Sequence, residues 1–221
     1  MLMFKKVSFS LTLLAGAVLM SQVAFTESKD KPDYRNLKSM VNIFGATLTY
    51  LPPVWYKSNK NPLENSEFHR VSKGGLFMLE EIPKGQSFDD WKEIYVVMAT
   101  GGVTESVKQD LDLYFSDYKI ACNKHYDMSV AYQGDDKVIF QVMCEKTPGT
   151  TASGYGKKKG TLALFSYTRL GNIAVFNKHE WRGKAFKKSD KESWPVSQRD
   201  YAETLMRLQQ VKFMPPQKDK S

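Results

Sequence analysis

Residues 126–133 (YDMSVAYQ), 137–147 (KVIFQVMCEKT), 160–170 (GTLALFSYTRL) and 172–181 (NIAVFNKHEW) decide the fold. Each is rich in β-branched and aromatic residues and too short for a long helix, and turn chemistry separates them. Gly134-Asp135-Asp136 supplies the first turn and Leu170-Gly171-Asn172 the last. A Pro/Gly/Thr/Lys-rich loop, TPGTTASGYGKKKG, lies between the second and third. Four consecutive strands joined by two tight turns and one longer loop are expected to form an antiparallel meander.

Working outward, residues 197–208 read as a helix: Ser197 is its cap, Asp200 stands at the third position, and Tyr201, Leu205 and Leu208 form its apolar stripe. Upstream, a helix from about Thr104 shows the stripe Val107, Leu111, Tyr114, Phe115, Tyr118 and Ala121. Another is expected over residues 87–98, where Ser87 opens it and Phe88, Trp91, Ile94, Tyr95 and Met98 fall at helical spacing. Before these, one strand is expected from Met40 to the Pro52-Pro53 pair, a loop over 57–67, and a strand in GGLFMLEEI (74–82). The order is strand, strand, helix, helix, four strands, helix: an α+β domain with a curved antiparallel sheet and helices packed on its faces.

Over residues 40–214 this element order resembles the Mog1/PsbP-like superfamily. The resemblance implies a binding or assembly protein without shared catalytic residues, and it transfers no site residue to this chain.

The N-terminus reads as an export signal. Lys5 and Lys6 precede an apolar run from about Val7 to Met20, too short to span a bilayer, and small or polar residues follow to Ala24. The expected organisation is a signal peptide (1–24), a flexible lead-in (25–39), one domain (40–214) and a charged tail (215–221), with no transmembrane segment in the mature chain. The expected address is periplasmic or secreted. Two cysteines in an exported chain predict a Cys122–Cys144 disulfide.

Losing Lys5 and Lys6 with the leader lowers the formal charge from +8 to +6. The excess is concentrated: between Lys146 and Glu192 eleven Lys/Arg face three acids. Such a sector suits an anionic partner such as lipid headgroups, lipopolysaccharide or glycosaminoglycan, with nucleic acid disfavoured, or else a protein partner. The expected contact residues are Tyr155, Lys157, Lys158 and Lys159 at a hairpin tip, with Arg182, Lys184, Lys187 and Lys188 beside them; Arg169 and Lys178 would join if they share that face.

Motifs for other chemistry fail. Gly149 and Gly154 have P-loop spacing, but Tyr155 stands where the phosphate-binding lysine is required. Gly154, Gly156 and Gly160 miss the dinucleotide fingerprint by one residue. His69, His125 and His179 form no metal-binding pair and are read as surface or loop residues. Asp89-Asp90 and Asp135-Asp136 are assigned to a helix start and a turn; Glu80-Glu81 has no such explanation. Trp55, Tyr56, Trp181, Phe186 and Trp194 are read as core or rim packing. No catalytic residue, metal or cofactor is expected. The reading is an exported, non-catalytic binding or accessory protein of a bacterial envelope or exterior. Its alternatives are a secreted virulence-type factor with a host target, or a polymer hydrolase whose site the sequence cannot group.

Overall fold

A computed structural model describes residues 33–147 and 159–215. The elements are β1 (Ser39–Ile43), β2 (Ala46–Tyr50), α1 (Pro62–Asn65), β3 (Ser66–Lys73), β4 (Leu76–Pro83), β5 (Glu93–Gly101), α2 (Val107–Cys122), β6 (Tyr126–Gln133), β7 (Val138–Cys144), β8 (Lys159–Leu170), β9 (Ile173–Lys184), α3 (Gln198–Gln209) and β10 (Lys212–Met214). Seven strands form one antiparallel sheet in the order β3-β4-β5-β9-β8-β7-β6, and β1-β2-β10 form a small second sheet. The class is α+β, with antiparallel sheets and few helices.

The expected meander is present as β6–β9, and the two later helices as α2 and α3. Their caps explain where they start. Ser106 accepts from the Gln109 amide in a capping box, and Ser197 accepts from the Asp200 amide at 3.1 Å.

β8 and β9 sit at the centre of the large sheet, paired without a bulge from Lys159–Lys184 to Leu170–Ile173. Directly opposed residues share a face, and both faces are covered. One face carries Tyr95, Val97, Leu162, Leu164, Val175 and Trp181 under α3 and the small sheet. The other carries Phe140, Val142, Ala163, Phe165 and Phe176 under α2, which contributes Phe115, Leu111, Tyr114 and Tyr118.

The helix expected over 87–98 is instead a bend followed by β5. β5 is buried on both faces: Ile94 and Val96 enter one core, Tyr95, Val97 and Ala99 the other. A doubly buried strand is a continuous apolar run, and such a run also satisfies helical spacing. Asp89 and Asp90 therefore occupy no helix start; the Asp90 amide donates to Ser87 Oγ in a turn. The single strand expected from Met40 is the β1–β2 hairpin, turning at Phe44 (φ 50°) and Gly45 (φ 84°). Both turn residues have positive φ, the requirement of a two-residue hairpin turn. The loop expected over 57–67 holds α1 and the start of β3, which returns through Gly74-Gly75 into β4.

Cys122 at the end of α2 and Cys144 at the end of β7 are bridged, with a Cα–Cα distance of 5.4 Å and a sequence separation of 22. Closing a loop of that length stabilises by about 3 kcal/mol in the chain-entropy picture. Reduction, or paired Cys→Ala substitution, is expected to lower the unfolding free energy by about that amount in a urea titration. An unchanged midpoint would contradict the bridge.

Candidate functional site

Of the residues expected to bind anions, Tyr155, Lys157 and Lys158 lie outside the described residues. Lys159 and Lys184 are register partners at the open end of the β8–β9 hairpin, and both are exposed. Backbone contacts bring more lysines to this end. The Thr147 amide donates to the Lys159 carbonyl at 2.8 Å, which places Lys146 beside it. The Phe186 amide donates to the Glu145 carbonyl at 3.0 Å, folding the segment with Lys187 and Lys188 over the same strands. The Glu145 amide donates to the His125 carbonyl at 3.2 Å, adding Lys124 from the 3-10 turn after α2.

Two glycines make this fold-back possible. Gly160 and Gly183 are opposite each other in the ladder. A Cβ on Gly160 would stand 2.7 Å from the Phe186 ring and 2.8 Å from the Glu145 carbonyl oxygen; one on Gly183 would stand 2.9 Å from Pro195. Without side chains there, Phe186 seals the hairpin end and the lysines around it stay outside. Six exposed lysines (124, 146, 159, 184, 187 and 188) thus gather from separate stretches of chain, accompanied by Asp127, Glu145 and Asp190. Lys188 is partly neutralised by Asp127 at 2.7 Å.

Three other cations do not join. Arg182 lies against the second face, its guanidinium 3.8 Å from the Trp91 ring centroid, a cation–π contact. Lys178 pairs with the fully buried Glu180 at 2.9 Å, and Tyr118 of α2 donates to the same carboxylate oxygen. Arg169, at the opposite end of β8, donates to the Val103, Glu105 and Gly171 carbonyls.

The structure also assembles a buried polar row that the sequence did not reveal. Glu81, Tyr95, His179 and Leu164 are successive register partners across β4, β5, β9 and β8. His179 is 1% exposed, which corrects its reading as a surface or loop histidine. Its Nε2 lies 2.7 Å from Glu93 Oε1, which also accepts from Trp181 Nε1 at 2.8 Å. The Trp55 edge and the Trp181 face flank the imidazole. Glu180, the next residue, is buried on the opposite face, as strand alternation requires.

Glu81 is 3% exposed. Ser66 Oγ donates to its Oε1 at 2.7 Å, Trp55 Nε1 donates to Ser66 Oγ at 2.9 Å, and the Tyr56 hydroxyl also hydrogen-bonds the carboxylate. Burial pushes the Glu81 carboxyl up to about 7, against the opposing pull of Tyr56 and Ser66. Burial, reinforced by the Glu81 charge, likewise raises Tyr50 and Tyr56. Trp55 and Tyr56 of the 50–56 segment thus lie against Ser66 and Glu81. A groove of about 410 Å³ opens instead on the other face, between α2 and β6–β7, lined by Val107, Leu111, Phe115, Met128 and Phe140.

The geometry defines an α+β protein with a lysine-rich sheet end and, separately, a buried carboxyl hydrogen-bonded to Ser66. No protein-family model matches the chain, and no curated protein matches it. Among solved structures it is similar to a mutant of protein Mog1, at 11% identity and a TM-score of 0.45, over 81% of this chain and 97% of that one. It is also similar to the Saccharomyces cerevisiae Ran-binding protein Mog1p, at 12% identity and a TM-score of 0.44, over 80% and 94%. Both likenesses concern backbone layout alone.

Because the folded Glu81 carboxyl titrates above its ordinary 4.5, its protonated form contributes stability that is complete below pH 4.5 and lost as pH rises through about 7. The Glu81→Gln variant should lose this dependence. The stability difference between wild type and variant is expected to shift by about 3 kcal/mol in the variant's favour between pH 4.5 and 8, measured by urea unfolding. A difference that stays constant with pH would contradict a protonated Glu81.

Proposed function

We propose that this chain is an exported, non-catalytic binding protein of a bacterial envelope or exterior that docks on an anionic surface through the open end of the β8–β9 hairpin. One observation carries the reading: exposed lysines from α2's end, β7's end, β8, β9 and the 185–188 segment meet at one place. A solvated basic face needs no such gathering, whereas a flat anionic partner rewards it, because each lysine adds attraction over the same contact area. The leader-like residues 1–24 and the disulfide support the export part of the proposal. The most perturbed carboxyl in the described residues, Glu81, is enclosed by Tyr56, Ser66 and Trp55, which favours a binding role over hydrolysis.

The test is retention on immobilised heparin and on vesicles containing phosphatidylglycerol. The wild-type protein should bind both in low salt and be released as salt rises. With each lysine near an anionic surface contributing about 1 kcal/mol, the triple variant K159E/K184E/K187E should bind at least about a hundredfold more weakly to whichever surface the wild type holds. Retention of the triple variant at wild-type salt would contradict the proposal.

A further inference from the structure

We infer that the anionic surface is a lipid bilayer, and that Ile120, on the last full turn of α2, enters it at the acyl boundary while the neighbouring lysines meet the headgroups. This rests on the docking role proposed for the lysine-rich end.

Ile120 is 78% exposed. Phe115, Tyr118 and Cys122 turn inward to the core and the disulfide, so helical geometry puts Ile120 on the solvent side. Its side chain contributes little to the fold in that position. What stands around it is specific. Two residues on, Cys122 is bonded to Cys144, and two residues past Cys144 comes Lys146. Lys124 follows in the 3-10 turn, whose His125 carbonyl is held by Glu145. The exposed isoleucine is therefore fixed at the margin of the lysine cluster by a covalent bridge and a backbone hydrogen bond. Leu113, two turns earlier on the same outer stripe, is 73% exposed, and Val130 on the adjoining edge strand β6 is 55% exposed.

Charge limits where the surface can touch. By sequence α2 carries Asp110, Asp112 and Asp117 against Lys108 and Lys119, so the helix as a whole is not basic. Asp112 is held by Lys108 at 2.6 Å and faces Lys119 at 3.8 Å. The attractive charge lies past the helix end, at Lys124, Lys146, Lys159, Lys184 and Lys187, and the contact is confined to that corner. A polysaccharide or nucleic acid would use the lysines and gain nothing from an aliphatic side chain; a bilayer uses both, since interfacial binding combines buried apolar area with attraction to anionic headgroups.

The experiment compares wild type, Ile120→Ser and Ile120→Trp on vesicles of phosphatidylcholine with and without phosphatidylglycerol, and on immobilised heparin. Far-ultraviolet circular dichroism and thermal melts should be unchanged in both variants, because residue 120 is solvent-facing. The expected result is that Ile120→Ser binds phosphatidylglycerol vesicles about tenfold more weakly, the loss of one partly buried aliphatic side chain. Ile120→Trp should bind at least as well as wild type, with blue-shifted emission on vesicles, and all three should elute alike from heparin. Wild-type vesicle binding by Ile120→Ser would overturn the insertion of Ile120 and leave the lysine cluster standing. Binding to heparin but not to phosphatidylglycerol vesicles would overturn the lipid assignment. Binding to neither would overturn the docking role itself, and this inference with it.

Discussion

The register of the β8–β9 hairpin is the constraint on which the rest of the molecule depends. Its strands run twelve pairs without a bulge through the centre of the sheet, and both faces are covered. Successive residues of β9 therefore enter different cores, and its buried polar side chains at 177, 179 and 180 are partnered inside. His179 meets Glu93 on one face; Glu180 meets Lys178 and Tyr118 on the other. A slip of one residue would send Trp181 and Val175 to the α2 face and Glu180 under the small sheet, away from Tyr118. These buried polar pairs favour the same register as the apolar residues do.

The same register determines what the hairpin's open end can present. Gly160 opposite Gly183 leaves room for Phe186, which the Glu145 carbonyl anchors, and the chain that follows folds back over the end. The Cys122–Cys144 bridge draws the end of α2 to the same corner. Charged side chains excluded from this packing have only the outside to occupy, so a cluster of lysines forms around a rigid apolar plug. The other end of β8 is treated differently: Arg169 is consumed by three carbonyls and stabilises loops.

Much of this was legible in the sequence where local chemistry and tertiary environment agree. The β6–β9 strands, α2 and α3 have clear turns, caps and stripes, and all lie where the pattern puts them. The failures share a cause. β5 is buried on both faces, so its apolar run carries no alternation to distinguish it from a helix. The β1–β2 turn uses Phe44 at a positive φ, where Asn or Gly is the usual sign of a hairpin. β3 has many exposed residues and pairs through Gly74-Gly75, a turn signal that was present but assigned only to the strand after it. For the site, Lys184, Lys187 and Lys188 were legible as part of a basic sector, whereas Lys124 was not, because it arrives through α2 and a disulfide. The stacking of Arg182 on Trp91 was not legible, because Trp91 is distant in sequence. Glu81 and His179 carried no motif; only strand pairing puts them in one row.

The central claim is that the open end of the β8–β9 hairpin, with the last turn of α2, is the surface this protein uses. Its most direct test is an amide chemical-shift titration of the isotopically labelled protein with phosphatidylglycerol-containing bicelles. The account predicts shifts concentrated at residues 119–125, 145–147, 159–161 and 183–188, fading along β8 and β9 toward the turn at Gly171. Shifts centred on β3 and β4, or spread evenly over all exposed lysines, would contradict it.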